Sequence, residues 1–263
     1  MSNAEPRDLR LCALAVSILY DVDITPGDHG VVLTGDAPVA VPWAECLEAL
    51  GGVDPDSAAG RSRLAGWLFA RRRIAMLSPV ELGERIRPVG LPRHHSLHPG
   101  SDWVREAVLG QALDLGLGLA GPDRGPGADV MIVAPGAWTV AGIDAASLWP
   151  QARAYLTSMG RLAAMRVGRG RPDVLRPMGD CDVVTLLGAR DYRRSLAGRE
   201  GGMMAVAVPM RSRGWIGLRA IDPAFAVAAA SATEPDERGF EGPLLVTGDE
   251  VTLVARLPVP TYR

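Results

Sequence analysis

Residues 30–41 read GVVLTGDAPVAV. Apolar residues on both sides of Thr34-Gly35-Asp36 predict two short strands joined by a tight turn. Pro42 suits the first position of a helix, and Trp43, Cys46, Leu47 and Leu50 then recur at helical spacing until Gly51-Gly52 stops them. A hairpin set among helices decides the class. A doubly wound sheet is the competing architecture, but strands and helices do not alternate cleanly along this chain. The expected fold is α+β: a mainly helical N-terminal part with a β-hairpin, followed by a mixed α/β C-terminal part.

Upstream of the hairpin, Leu9–Tyr20 is an apolar element, helix or strand. Arg7 and Arg10 precede the run Leu11–Tyr20 as they would in a signal peptide, but no small-residue cleavage site follows and the run is too short to span a bilayer. A buried first element is expected. Downstream, Asp54-Pro55 starts a helix with Leu64, Trp67 and Leu68 inward and Arg61, Arg63 and Arg71 to Arg73 outward. Ser78-Pro79-Val80-Glu81 forms a capping box that opens a short helix to about Arg85.

Three prolines, two glycines and three of the four histidines fall within 88–100. This composition marks a domain boundary or a long functional loop. Two parts are expected, 1–90 and 99–263, with fusion into one globular unit as the alternative. In the second part, Ser101 caps a helix with Val104, Ala107, Val108, Gln111, Ala112 and Leu115 along one stripe. Asp129–Ala134 is a strand broken by Pro135-Gly136. Leu148–Val167 is the clearest helix, stopped by Gly168. Val183–Leu187 is strand or helix, and β-branching favours strand. Met203–Val208 is a strand, and Asp222-Pro223 caps a helix ending before Pro235. Leu244–Val246 and Val251–Ala255 make a second hairpin about Gly248-Asp249. It echoes the first, and two independent uses of one turn explain that better than a repeat.

All 28 basic residues are arginine, and the chain contains no lysine. Pyridoxal phosphate chemistry, a lysine-bearing phosphate loop and a lysine nucleophile are therefore excluded. Asn occurs once and Gln twice, a bias that also fits a GC-rich coding genome. Three widely spaced cysteines argue against a disulfide framework and fit a reducing, cytoplasmic setting. Gly168-Arg169-Gly170-Arg171 follows a helix rather than a strand, so it is no dinucleotide fingerprint. Ser195 and Ser231 lie in no nucleophile elbow. No cofactor is indicated.

His94, His95 and His98 are the candidate bases, and His94 with His98 the candidate metal ligands. Pro92 and Pro99 bracket them, however, and the HExxH pattern is absent. A polar surface loop accounts for them as well. Asp180 and Asp182 flank Cys181. They are candidate ligands or acid–base groups, with a turn and a helix cap as the alternative. Their charges disfavour a thiolate at Cys181.

Charge is the broad functional hint. Residues 161–219 hold twelve arginines and five acids, a net +7 in a chain of net charge −2. Arginine forks suit carboxylate and phosphate. Arg169, Arg171, Arg176, Arg190, Arg193 and Arg194 are the expected anion-binding residues, unless the fold pairs them with its own acids. The expected function is non-catalytic binding or regulation through an anionic ligand or acidic protein surface. The alternative is a hydrolase or transferase joining the His94/His95/His98 loop to Asp180/Asp182. The slightly acidic balance does not favour nucleic acid. A homo-oligomer would show as an apolar patch on an amphipathic helix.

Overall fold

The computed structural model describes residues 6–35, 38–121, 130–169, 173–198, 201–217, 222–234 and 236–254. In chain order the elements are α1 (Pro6–Tyr20), β1 (Ile24–Pro26), β2 (Gly30–Leu33), β3 (Val39–Pro42), α2 (Trp43–Leu50), α3 (Ala58–Ala75), α4 (Pro79–Arg85), β4 (Ile86–Pro92), β5 (Glu106–Ala107), β6 (Leu113–Ala120), β7 (Val130–Ile132), α5 (Pro135–Val140), α6 (Ala145–Arg169), β8 (Val174–Leu175), α7 (Val183–Leu186), α8 (Arg190–Ala197), β9 (Met203–Met210), β10 (Arg213–Ile216), α9 (Pro223–Ser231), β11 (Leu244–Thr247) and β12 (Val251–Leu253). The fold is α+β, as the hairpin among helices implied, and its sheets are antiparallel. No described helix is long and apolar enough to cross a membrane.

The chain forms two compact units, one of residues 1–85 and 131–147 and the other of 86–130 and 148–263. In the first unit, β1, β2 and β3 form a meander, with Val31 opposite Val41 in the hairpin. Asp36 of the expected turn lies outside the described residues. α2 ends as expected at Gly51, whose φ of 59° is the left-handed conformation glycine adopts without strain. The Leu9–Tyr20 element is helical. α3 starts later than Asp54-Pro55: the Asp54 carboxylate accepts the Asp56 N–H in a turn, and the Ser57 hydroxyl caps the helix by accepting the Gly60 N–H at 2.9 Å. Arg71 does not point outward. It is buried and paired with Glu45 at 3.2 Å. The Ser78–Glu81 capping box is present, each side chain bonding the other residue's N–H.

In the second unit, one sheet runs β12-β11-β9-β10-β8, and β6 lies between β4 and β5 in another. The expected helix after Ser101 is absent. Ser101–Trp103 is a single 3-10 turn, and Leu113–Ala120 is a fully buried strand. The positive φ values of Gly110 (90°) and Gln111 (56°) reverse the chain between β5 and β6, which ends any helical register. The LDLGLGLA alternation from Leu113 is the period-two signal that outweighs the looser helical spacing. Trp103 lies against Gly116 and donates its indole N–H to the Leu117 carbonyl at 3.0 Å. Val183–Leu186 is a helix, not a strand. Asp182 accepts the Thr185 N–H at 2.6 Å, and this cap decides against β-branching. Pro135 opens α5 rather than only ending β7. The core of this unit gathers Leu115, Leu156, Leu186, Leu196, Val206 and Leu244.

Strand β4 is an edge strand holding two prolines. Its register against β6 turns residues 88, 90 and 92 away from that partner. Pro88 and Pro92 have no N–H to satisfy, and Gly90 donates its N–H to Thr185 Oγ1 at 2.8 Å. Positions 88, 90 and 92 of this edge therefore present no free donor. The contact requires glycine, because a Cβ at position 90 would sit 2.8 Å from the Thr185 Cα. Since backbone must move to make room, Gly90→Ala is expected to cost about 2 kcal/mol or more. Urea denaturation of the variant measures this, and an unchanged midpoint would contradict it.

Candidate functional site

The loop after β4 places His95 inside and His94 outside. The Leu97 N–H donates to His95 Nδ1 at 3.1 Å, so the proton sits on Nε2, which donates to the Arg238 carbonyl at 3.0 Å. Burial, and then the nearby Arg211 guanidinium, bring the His95 pKa down to about 4. His98 accepts the Gly100 N–H on Nδ1, and its ring meets Trp103 edge-on. Its Nε2 faces Asp114 Oδ2 at 3.4 Å, too poorly aligned for a hydrogen bond. Burial is the main cause that holds its pKa below the usual histidine value.

Asp180 takes the Arg87 guanidinium, which also lies 4.3 Å above the Tyr155 ring. Asp182 uses one oxygen to cap α7 and the other to accept Arg211 Nε and Nη2, at 2.8 and 2.7 Å. The two carboxylates thus serve different arginines. Neither bonds a histidine: His95 is held by Leu97 and Arg238, and His98 faces Asp114. Among the described residues no three His, Cys, Asp or Glu side chains converge as a metal site. The three thiols are buried. Burial raises the pKa of Cys12 to about 11 and of Cys46 to about 12, and burial followed by the flanking aspartates also raises that of Cys181.

The arginines of 161–219 divide. Arg161 pairs with Asp191, Arg190 with Asp249 and Arg211 with Asp182. Arg169 ends α6 and Arg176 follows β8; both are exposed, as is Arg194. None of these three has a carboxylate partner among the described residues. Arg171 lies outside them.

Arg193 is different. On α8, Tyr192 and Leu196 turn into the core, and Arg193 goes in beside them, 7% exposed. Its Nη1 donates to the Leu187 carbonyl at 2.7 Å. Its Nε is buried and has no hydrogen-bond partner among the described residues. Burial, and then repulsion by Arg153, lowers its pKa; Glu106 and Asp249 act in the opposite sense, and Arg190 adds to the repulsion. Arg153 is bound to Glu106 at 2.9 Å, and Arg190 to Asp249 at 2.7 Å. Among the described residues three guanidinium groups thus stand with two carboxylates, each carboxylate already held, which leaves one positive charge unbalanced.

This cluster joins α8, α6, β5 and the turn before β12. It brings together Arg190 and Arg193 of the nominated set and leaves Arg169 and Arg176 elsewhere. Arg153, Glu106 and Asp249 were not nominated. Arg153 precedes the basic stretch, and no local pattern links it to Glu106 across 47 positions. Comparison with protein-family models, with curated proteins and with solved structures finds no match for this chain.

Proposed function

We propose that the protein is a non-catalytic binding or regulatory protein that holds an anion at Arg193. The observation carrying this reading is the buried guanidinium with an unpartnered Nε. A buried charge without a counter-charge is costly, and such groups call for an ion or ligand that completes them. The unbalanced charge fits a singly charged group, above all a carboxylate, which matches the guanidinium fork. It can come from a small molecule or from an acidic side chain of a partner protein. The exposed Arg194, one residue further along α8, adds to the field that draws an anion in. A binding role is favoured over hydrolase or transferase chemistry because His95 and Asp182 are occupied within the fold and His98 is turned to Asp114.

The test is thermal unfolding at constant ionic strength with acetate, succinate or inorganic phosphate added. At an anion concentration 100 times its Kd, wild type is expected to gain about 2.7 kcal/mol. Arg193→Met should lose this response. Without an anion it should lose little stability, since removal of an uncompensated buried charge offsets the lost bond to the Leu187 carbonyl. Equal responses in the two proteins would overturn the reading.

A further inference from the structure

Three close approaches within the second unit assemble the Arg193 cluster. Helices α6 and α8 meet where Gly160 faces Ala189: a Cβ on Gly160 would stand 2.3 Å from the Ala189 Cβ. Farther along, Ser195 Oγ donates to the Ala164 carbonyl at 3.1 Å, so the two helices run side by side in the same direction. Arg153 stands about two turns before this crossing. The Arg193 side chain folds back to the Leu187 carbonyl, toward the same end. On another flank, Glu106 is in register with Leu115, whose side chain lies against Gly188. The third approach is the turn before β12, where Gly248 meets the Arg194 side chain and Asp249 bonds Arg190.

The two carboxylates of this cluster are not equivalent. Glu106 and its partner Arg153 are 33% and 35% exposed, whereas Asp249 and Arg190 are 57% and 54% exposed. Water screens the outer pair, so Asp249 acts weakly on a charge held at Arg193. Glu106 is the better shielded of the two and acts more strongly. Each carboxylate cancels the arginine it holds. Among the described residues, a ligand at Arg193 therefore meets one net positive charge of the cluster rather than three. A monoanion balances that charge. A dianion brings a second negative charge beside Glu106, with no cation of the cluster left to meet it.

We propose that Glu106 sets the charge of the ligand at this site: by neutralising Arg153 it makes the site take a monocarboxylate and turn away dianions such as sulfate and phosphate esters. The inference rests on the reading of Arg193 as an anion site.

The test is titration calorimetry of the full chain at neutral pH and constant ionic strength, with acetate and sulfate as the probes. Wild type should bind acetate more tightly than sulfate. Glu106→Gln adds one positive charge, whose Coulomb effect is twice as large on a dianion. Acetate should tighten about tenfold and sulfate about a hundredfold, which moves their ratio about tenfold toward sulfate. Asp249→Asn should move it about threefold or less, because that carboxylate is screened. Combining Glu106→Gln with Arg153→Gln restores the original net charge and should return the ratio to the wild-type value. A merely structural role of the Glu106–Arg153 pair would not give this rescue. A ratio unmoved by Glu106→Gln, an equal shift in Asp249→Asn, or no rescue in the double variant would overturn the proposal and leave the anion site standing. No acetate binding to wild type, or undiminished binding by Arg193→Met, would remove the site itself and the proposal with it.

Discussion

Lowering the pH from 7 to 4 is expected to remove about 3 kcal/mol of folding stability through His95 alone. The folded pKa is brought down from 6.5 to about 4 by burial and by Arg211. Between these values the unfolded chain binds a proton that the folded chain refuses. The contribution is therefore complete above about pH 7, falls as the pH drops through 6.5 and is nearly gone by pH 4. The folded state refuses the proton because the site is built for neutral imidazole. Nδ1 must stay bare to accept the Leu97 N–H, and two arginines, Arg211 and Arg238, lie close enough to repel a positive ring. Urea denaturation at pH 7 and pH 4.5 measures the loss. His95→Phe removes the titrating group, so its stability should fall less over the same range, whatever the carboxylates contribute to both proteins. Equal losses in the two proteins would sink this account.

Arg93→Met should cost about 3 kcal/mol or more at neutral pH. Arg93 grips Asp114 with two hydrogen bonds, Nε to Oδ2 at 3.1 Å and Nη2 to Oδ1 at 2.9 Å. The arginine side chain is 32% exposed and the carboxylate 5%. Removing the cation thus strands the more deeply buried partner, whereas removing the carboxylate would leave an arginine able to reach water. His98 lies on the same carboxylate, and Arg93 is among the charges that disfavour its protonation. Without Arg93 the imidazole can take a proton and replace the lost charge. The deficit of the variant should therefore shrink as the pH falls from 7.5 to 5.5. Chemical denaturation of both proteins across that range tests this, and a deficit that is constant or grows would contradict it.

Much of the fold was legible because it is set by local rules. The Ser78–Glu81 capping box, the Gly51 stop, the helix through Leu148–Val167 and the hairpin about Gly248-Asp249 each declare themselves within a few residues. The errors arose where a distant partner competed with a local preference. Val184 and its neighbours favour a strand in isolation, but Asp182 caps them into a helix whose backbone rests on Gly90. The stripe from Val104 to Leu115 mimics a helix, yet a positive φ at Gln111 and the pairing of β6 with β4 make it strand. Of the candidate site, α8 was visible as an arginine-rich helix. That Arg193, rather than Arg190 or Arg194, turns inward depends on which side of α8 meets the core.

From its residue types and their spacing alone, this chain is an α+β protein without lysine chemistry, with two hairpins among capped helices and an excess of arginine in its later half. Those properties follow from side-chain chemistry and neighbours within about ten positions. The tertiary structure alone decided which arginines meet carboxylates and that Arg193 is buried without one bonded to it among the described residues. Arg87, Arg153, Arg190 and Arg211 meet carboxylates between 29 and 93 positions away, and charge is balanced across space, not along sequence.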